Sequence, residues 1–340
     1  MTRSMFAALL ALLVFALMTG AAAQRVIQYT HFQPASEDQP KHAAALAFKE
    51  HVEEASGGDL VVQLYPASQL GDAETVLQGL QLGTIELGVV HDGPIAGFFA
   101  PVELISIPYL LEDHETAYRL FDGPFGDEFA AAMTDETGIR TMAIADNGIR
   151  HFTNNVRPIG TPEDMQGLTI RIQPSPVYER LVESLGASAV TVSWPELPTA
   201  LQQGVVDGQE NSVTNILAAS LYQYQRYVTL DAHVYSVHLY LMNDDFYQSL
   251  TPEQQQVVDE GIQIALQIHR DMTRAQDLAA EEILSELGME VTVLEPEEIE
   301  AFRDAAQGPV VEYLEGRVGQ DWIETIFAAL EAAQAEAAAQ

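Results

Sequence analysis

Arg150, Arg157 and Arg171, with His151 beside the first, fall within one short segment, residues 148–171, of a chain that carries only 15 Lys plus Arg against 50 Asp plus Glu. A guanidinium stays charged at any working pH and presents a planar fork of donors that matches a carboxylate with two parallel bonds. Anion binding is the chemistry such a cluster serves. Arg171 is the best placed of the set, because it ends an apolar run from Leu168 that follows Gly167 and the helix-start pattern Thr161-Pro162-Glu163-Asp164. The run predicts a short strand, and strand tips are where α/β proteins bind ligands. From the residues alone, an ion pair between Arg171 and Glu163 or Asp164 stays equally open. Two further side chains stand at positions where function and structure compete. Trp194, one of only two tryptophans, begins a helix beside Pro195, where it can bind a ligand or fill a core. Asn211 follows the tight turn Asp207-Gly208 and can direct its amide at a carboxylate oxygen or hold the turn.

Composition narrows the ligand and the compartment. A formal net charge of −35, with lysine only at Lys41 and Lys49, argues against nucleic acid as a partner, since phosphate contacts need a basic face. An anionic ligand is repelled by such a protein at large, so any anion site must be carried by local arginines. Arg3, the apolar run Phe6 to Met18 and the small residues Ala21-Ala22-Ala23 before Gln24 predict a secretory signal peptide over residues 1–23 and a periplasmic mature protein. There is no cysteine, which removes disulfides and thiol nucleophiles. No GxSxG, GxGxxG, P-loop or HExxH pattern occurs, which weakens an enzyme reading without excluding it; neither enzymatic activity nor a cofactor is expected. The nine histidines are scattered and predict no metal site.

The elements that must position these residues follow from periodicity. An apolar run from Val26 to Tyr29, a helix with Ala44, Ala45, Phe48, His51 and Val52 on one face, a strand Leu60–Leu64, a helix Glu74–Leu82 and a strand Ile85–Val90 alternate as β, α, β, α, β. That order predicts a mostly parallel sheet covered by helices. Helices near 115–121 and 125–137 and a strand 141–145 complete this part. A second β/α series, with strand 168–172, helix 175–185 and strand 189–192, starts after the arginine segment; Ser193 to Glu196 reads as a capping box opening another helix. Thr251-Pro252-Glu253-Gln254 starts a helix whose apolar spacing runs to Gly288, on the order of 50 Å, long enough to bridge two lobes. An edge strand at 290–293 and an Ala-rich terminal helix at 321–339 close the chain. The fold class is therefore α/β with two lobes, each a β-sheet flanked by helices, and a long bridging helix. Residues 24–148 with 237–276 form lobe I, 149–236 with 277–330 form lobe II, and 331–340 form a C-terminal tail.

The string Phe152-Thr153-Asn154, Arg157-Pro158-Ile159, Thr161 to Met165, Gly167-Leu168 and Ile170-Arg171 resembles the signature of the solute receptors of TRAP (tripartite ATP-independent periplasmic) transporters, of the C4-dicarboxylate-receptor-like family. The likeness extends to Tyr65-Pro66, to Ser68 through Gly71 and to Trp194 through Asn211, so three separated motifs stand in order. It implies a two-lobed periplasmic-binding-protein-like fold that closes around a small organic acid and delivers it to the TRAP membrane permease subunits. It also implies roles: Arg171 for the carboxylate salt bridge, Asn211 to support it, Arg150 as a second cationic contact and Trp194 packed on the ligand. Ser212 departs from the pattern, in which proline often follows the asparagine. By the same resemblance His31 and His91 at the ends of the first and third strands, and Tyr235 near the return to the first lobe, face the cleft, although either histidine can equally be an ordinary surface residue. Two arginines and two histidines lean toward a polar, doubly acidic ligand. The protein is expected to act as a monomer. A periplasmic sensor feeding a signalling receptor has the same fold and pocket and is the alternative function.

Overall fold

The computed structural model describes residues 24–338, so the signal peptide expected over 1–23 lies outside the described residues. The first elements are those the spacing predicts. Strand β1 (Arg25–Thr30) pairs in parallel with β2 (Leu60–Tyr65) and β3 (Leu87–His91). Helix α1 (Pro40–Ala55) has proline in its first turn and buries Ala44, Ala45, Phe48 and Val52. Helix α2 (Ala73–Leu82) starts where Asp72 accepts the Thr75 N–H at 2.9 Å and stops at Gly83, φ 71°. The short helix α3 (Asp92–Ile95) continues directly from β3. After a 3-10 segment at Ala100–Ser106 come α4 (His114–Phe121) and α5 (Pro124–Thr137).

Two long strands carry the chain between the lobes. The 16-residue β4 (Ile139–Asn154) replaces the short strand expected at 141–145, and the 17-residue β8 (Tyr227–Asn243) runs antiparallel to it. At about 3.3 Å per residue β8 spans roughly 55 Å. Between them lie β5 (Thr169–Ile172), α6 (Pro176–Ser184), β6 (Ser188–Thr191), α7 (Leu197–Gln202), β7 (Gly208–Ser212) and α8 (Val213–Ala218). The strand order is β2-β1-β3-β8-β4-β7-β5-β6, with β9 (Glu290–Val293) parallel to β8. The sheets of the two lobes are thus one nine-stranded sheet, continuous through β4 and β8. Register shifts in their pairing, including those at Asp146/Gly148 and Arg150/Phe152, bend the ladder where it leaves one lobe for the other.

After the short α9 (Asp244–Gln248), the long helix α10 (Pro252–Leu278) begins at a reciprocal capping box between Thr251 and Gln254. It lies along α1, where a Cβ on Gly261 would stand 2.9 Å from Val52 and 3.0 Å from Phe48, so glycine is what lets the helices approach. The helix does not reach Gly288 as the apolar spacing suggests. It stops at Ala279, and a separate α11 (Ala280–Glu286) follows. The two pieces serve different neighbours: Asp277 near the end of α10 accepts the Ile149 N–H of β4 at 3.1 Å, while Ala280 and Leu284 join a core with Leu197, Val213 and Met289.

Helix α12 (Pro296–Val318) is not evident in the sequence, because Gly308-Pro309 reads as a breaker; its Phe302, Ala306, Val310 and Leu314 are buried at four-residue intervals, and it packs on α6. Helix α13 (Gln320–Ala338) packs on α4 and α5 of the first lobe, whereas the sequence places residues through 330 in the second. It continues through the residues assigned to a tail, with Ala333 buried.

Candidate functional site

Arg171 sits near the tip of β5, flanked by β6 and β7. Its side chain is 1% exposed, and its Nε donates to the Val192 carbonyl at 2.9 Å, which fixes the plane of the guanidinium. No carboxylate of the described residues pairs with it. The ion pair with Glu163 or Asp164 does not form; Asp164 instead accepts the N–H groups of Gly160 and Thr161 at 3.0 and 2.9 Å. Burial pulls the Arg171 pKa down to about 10, opposed by Glu210 and reinforced by Arg150, so the group remains a cation at neutral pH.

Arg150 differs from the expected second free cation. It lines the same cavity, but Glu210 already holds it: Nε donates to Oε2, and one terminal nitrogen reaches Oε1 and the Glu210 carbonyl at 2.8 Å each. The register explains the pair, because Arg150 on β4 faces Ser212 on β7, and Glu210 shares a strand face with Ser212 two residues away. The guanidinium also lies over the Tyr178 ring at 5.1 Å. Burial works against the Arg150 charge, yet Glu210 outweighs it and holds the pKa above the ordinary arginine value. Beyond Glu210, His233 Nε2 approaches at 3.4 Å while its Nδ1 stands 2.8 Å from Asp231. Burial disfavours the charged His233 ring, but those two carboxylates more than offset it and raise the pKa. Burial likewise opposes the Glu210 charge, and Arg150 with His233 nevertheless holds it below the ordinary glutamate value.

The cavity is a narrow space between the lobes, about 30 Å³ in volume. Trp194, Asn211 and His91 line it. Trp194 is half-buried, and its indole N–H crosses to the Phe32 carbonyl of the first lobe at 3.3 Å. The Asn211 amide is engaged within the protein, donating to Gln209 Oε1 at 3.1 Å and accepting from the Ser212 N–H at 3.2 Å, a bond that a proline at 212 would lack. These bonds order the wall. His91 stands opposite His238 across β3 and β8. Burial and the nearby Arg171, Arg150 and Lys41 charges push the His91 pKa down to about 3, so it is neutral.

His31 and Tyr235 do not line this cavity. The His31 ring is fully buried, 3.1 Å from His42 Nδ1, and accepts the Gln33 N–H at 3.3 Å. Tyr235 donates its hydroxyl to Asp146 beside His114, within the fold of the first lobe. The loop after β1 does reach the ligand space, but through Phe32 and Gln33. Gln33, Asn215 and His238 lie outside the motifs, and Glu210, although inside the motif that ends at Asn211, carries no sign there of its partner; only the packing of the chain collects them. Contacts between lobes also include Gln173 and Tyr178 donating to the buried Asp92 at 3.1 Å each. Among the described residues no group of three or more acidic or histidine side chains is placed to hold a metal ion, and no helix is long and apolar enough to cross a membrane.

Lobes joined by long shared strands and meeting over a buried guanidinium define a two-lobed solute-binding protein. The family model for DctP, the bacterial extracellular solute-binding proteins of family 7, matches residues 31–316, and the chain belongs to that family. A solute-binding protein of Verminephrobacter eiseniae is 33% identical over 282 residues, 83% of each chain. A crystal structure of a TRAP periplasmic solute binding protein from Bordetella bronchispeptica, with density assigned to pantoate, matches with TM-score 0.83 at 34% identity, covering 89% of this chain and 98% of that one. One from Shewanella oneidensis, with bound succinate, matches with TM-score 0.84 at 27% identity, covering 91% of this chain and 100% of that one.

Proposed function

We propose that the protein is the extracytoplasmic receptor of a TRAP transporter, that Arg171 forms the salt bridge to the carboxylate of a small organic acid, and that the closed receptor delivers this acid to the membrane permease. One observation carries the reading: Arg171 is a cation enclosed between two lobes with its Nε anchored to a backbone carbonyl and, among the described residues, no carboxylate in an ion pair with it. Charged groups are almost never left so unless a ligand completes them. The family gives the acid class, since pantoate and succinate, named for two structural neighbours, are both carboxylates. Export by the predicted leader and action as a monomer belong to the same proposal.

Removing one end of a desolvated charge pair costs about 2–5 kcal/mol. Arg171→Gln should therefore weaken binding of the cognate acid between roughly thirtyfold and several thousandfold. Titration calorimetry of wild type and variant against a panel of organic acids measures it, and unchanged affinity refutes the salt bridge. Loss of acid uptake on deletion of the gene, restored by the wild-type protein, tests delivery; uptake that continues unaltered argues for sensing instead.

A further inference from the structure

The wall of the cavity carries polar groups whose orientation the hydrogen bonds determine. The Ser212 backbone N–H can only donate, and it does so to Asn211 Oδ1, which fixes the direction of the Asn211 amide. That oxygen also accepts from Asn215 Nδ2 at 2.7 Å, and the same nitrogen donates to Asn147 Oδ1 at 2.7 Å. Asn215 Oδ1 must then face the other way, where Gln33 Nε2 reaches it at 2.6 Å and Lys41 Nζ at 3.3 Å. Amide flips are ordinarily a matter of assignment, but here the relay runs from a backbone donor. Its last member is Gln33, which lines the cavity, is 2% exposed, and is left with a buried Oε1 that no donor meets. His238 lines the same space, 4% exposed, and its Nδ1 is likewise buried without a partner.

An unpaired amide oxygen is matched by a donor, and an ionised carboxylate has none to give. A hydroxyl does: it donates to Gln33 Oε1, and a hydroxyl also meets His238 Nδ1, as acceptor or donor according to the tautomer of the neutral ring. A second carboxylate also meets no net second charge, because Glu210 balances Arg150 through its Nε and one terminal nitrogen. The imidazoles add no charge: burial, with the neighbouring cations, keeps His91 at about 3 and His238 well below the ordinary histidine value. Lys41 is screened from the space by Asn215 and is not among the residues lining it.

We propose that the cavity is built for a short hydroxy monocarboxylic acid, with Arg171 taking its one carboxylate and Gln33 and His238 taking a hydroxyl on the chain. This rests on the receptor reading and departs from the lean toward a doubly acidic ligand drawn from counting arginines and histidines.

The test is calorimetric binding to the mature protein of matched probes at two chain lengths: butyrate, erythronate and succinate with four carbons, and hexanoate, gluconate and adipate with six. At one length at least, the hydroxy acid should bind a hundredfold or more tighter than both the plain acid and the diacid. A diacid that equals or exceeds the hydroxy acid at both lengths, or no binding of either hydroxy acid, overturns the proposal, and this ranking needs no variant. Gln33→Met should then lower affinity for the preferred hydroxy acid at least tenfold while leaving the plain acid unchanged; equal losses for both overturn the assignment of Gln33. Should diacids win while Arg171→Gln still abolishes their binding, the receptor reading stands and this inference alone falls.

Discussion

Glu210→Gln isolates the idea that Arg150 is silenced by its own protein. The substitution keeps the side-chain shape but removes the charge that holds a guanidinium only 1% exposed. Breaking a buried pair at one end costs about 3–5 kcal/mol, and since the glutamine carbonyl can still accept one bond the lower end applies. That is a large share of a typical stability of about 5–15 kcal/mol and, for a chain of this length, lowers the melting temperature by roughly 4–5 °C. The freed Arg150 becomes a second cation in the wall of the cavity, so a diacid gains what a monoacid does not. One added charge-assisted bond is worth about 1.5–3 kcal/mol, which predicts succinate binding roughly ten- to 150-fold tighter than to wild type. Urea denaturation and calorimetry at fixed ionic strength read the two effects separately. In the double variant Glu210→Gln/Arg150→Met no unpaired charge remains, so much of the stability returns and the succinate gain disappears. An unchanged stability in the single variant, or a succinate gain that survives in the double, refutes the neutralisation of Arg150 by Glu210.

Two other outcomes follow from the lobe interface and from the end of α10. A Cβ on Gly93 would stand 2.6 Å from Gln173 Cδ across the lobe interface, so Gly93→Ala should displace the Gln173 bond to Asp92 and hinder closure; ligand affinity should fall about tenfold, a loss of ~1.4 kcal/mol, with an X-ray scattering radius in the presence of ligand larger than wild type, and a normal ligand-induced compaction refutes it. Burial, with the Asp146 charge, raises the Asp277 pKa to about 7 against the opposing effects of the Ile149 N–H, His114 and Lys41. A raised pKa contributes stability that is complete below the ordinary aspartate value and is lost as pH climbs to the folded value. Wild type should therefore lose about 4 kcal/mol relative to Asp277→Asn between pH 4 and 7, read as the difference between their urea midpoints across that range; parallel pH profiles exclude it.

Legibility in the sequence depends on whether the signal is local. The opening β/α units show because α1 carries its apolar residues at helical spacing and Ser56-Gly57-Gly58 ends it. Strand β8 does not show: it is buried on both faces, which removes the alternation that marks a strand, and it carries Asp231, His233, Ser236 and His238 where a buried strand reads as apolar. The motif and the strand tip single out Arg171, but the partner of Arg150 stays hidden, since the motif that contains Glu210 does not say which cation it meets. Only the antiparallel register of β4 with β7 selects it. The loop after β1 is legible while its cavity-lining side chain is not, because one residue of difference at a strand end decides whether a side chain meets His42, as His31 does, or the cleft, as Phe32 does.

The same polar groups account for coupling between ligand and closure. In an open form water can meet Arg171, Gln33 Oε1 and His238 Nδ1, whereas apposition of the lobes buries all three. Closing on nothing therefore forfeits their hydration, a cost on the order of 5 kcal/mol for one charged and two neutral groups. A ligand that supplies each with a partner removes that cost only in the closed state. The difference is close to the about 5.5 kcal/mol needed to move a two-state equilibrium from 1:99 to 99:1. An acid lacking the hydroxyl satisfies Arg171 but leaves Gln33 and His238 unmet, so it should bind and close the lobes incompletely. On the proposed reading, specificity and closure draw on the same few atoms, and Arg171 supplies the charge in a protein that is otherwise strongly acidic.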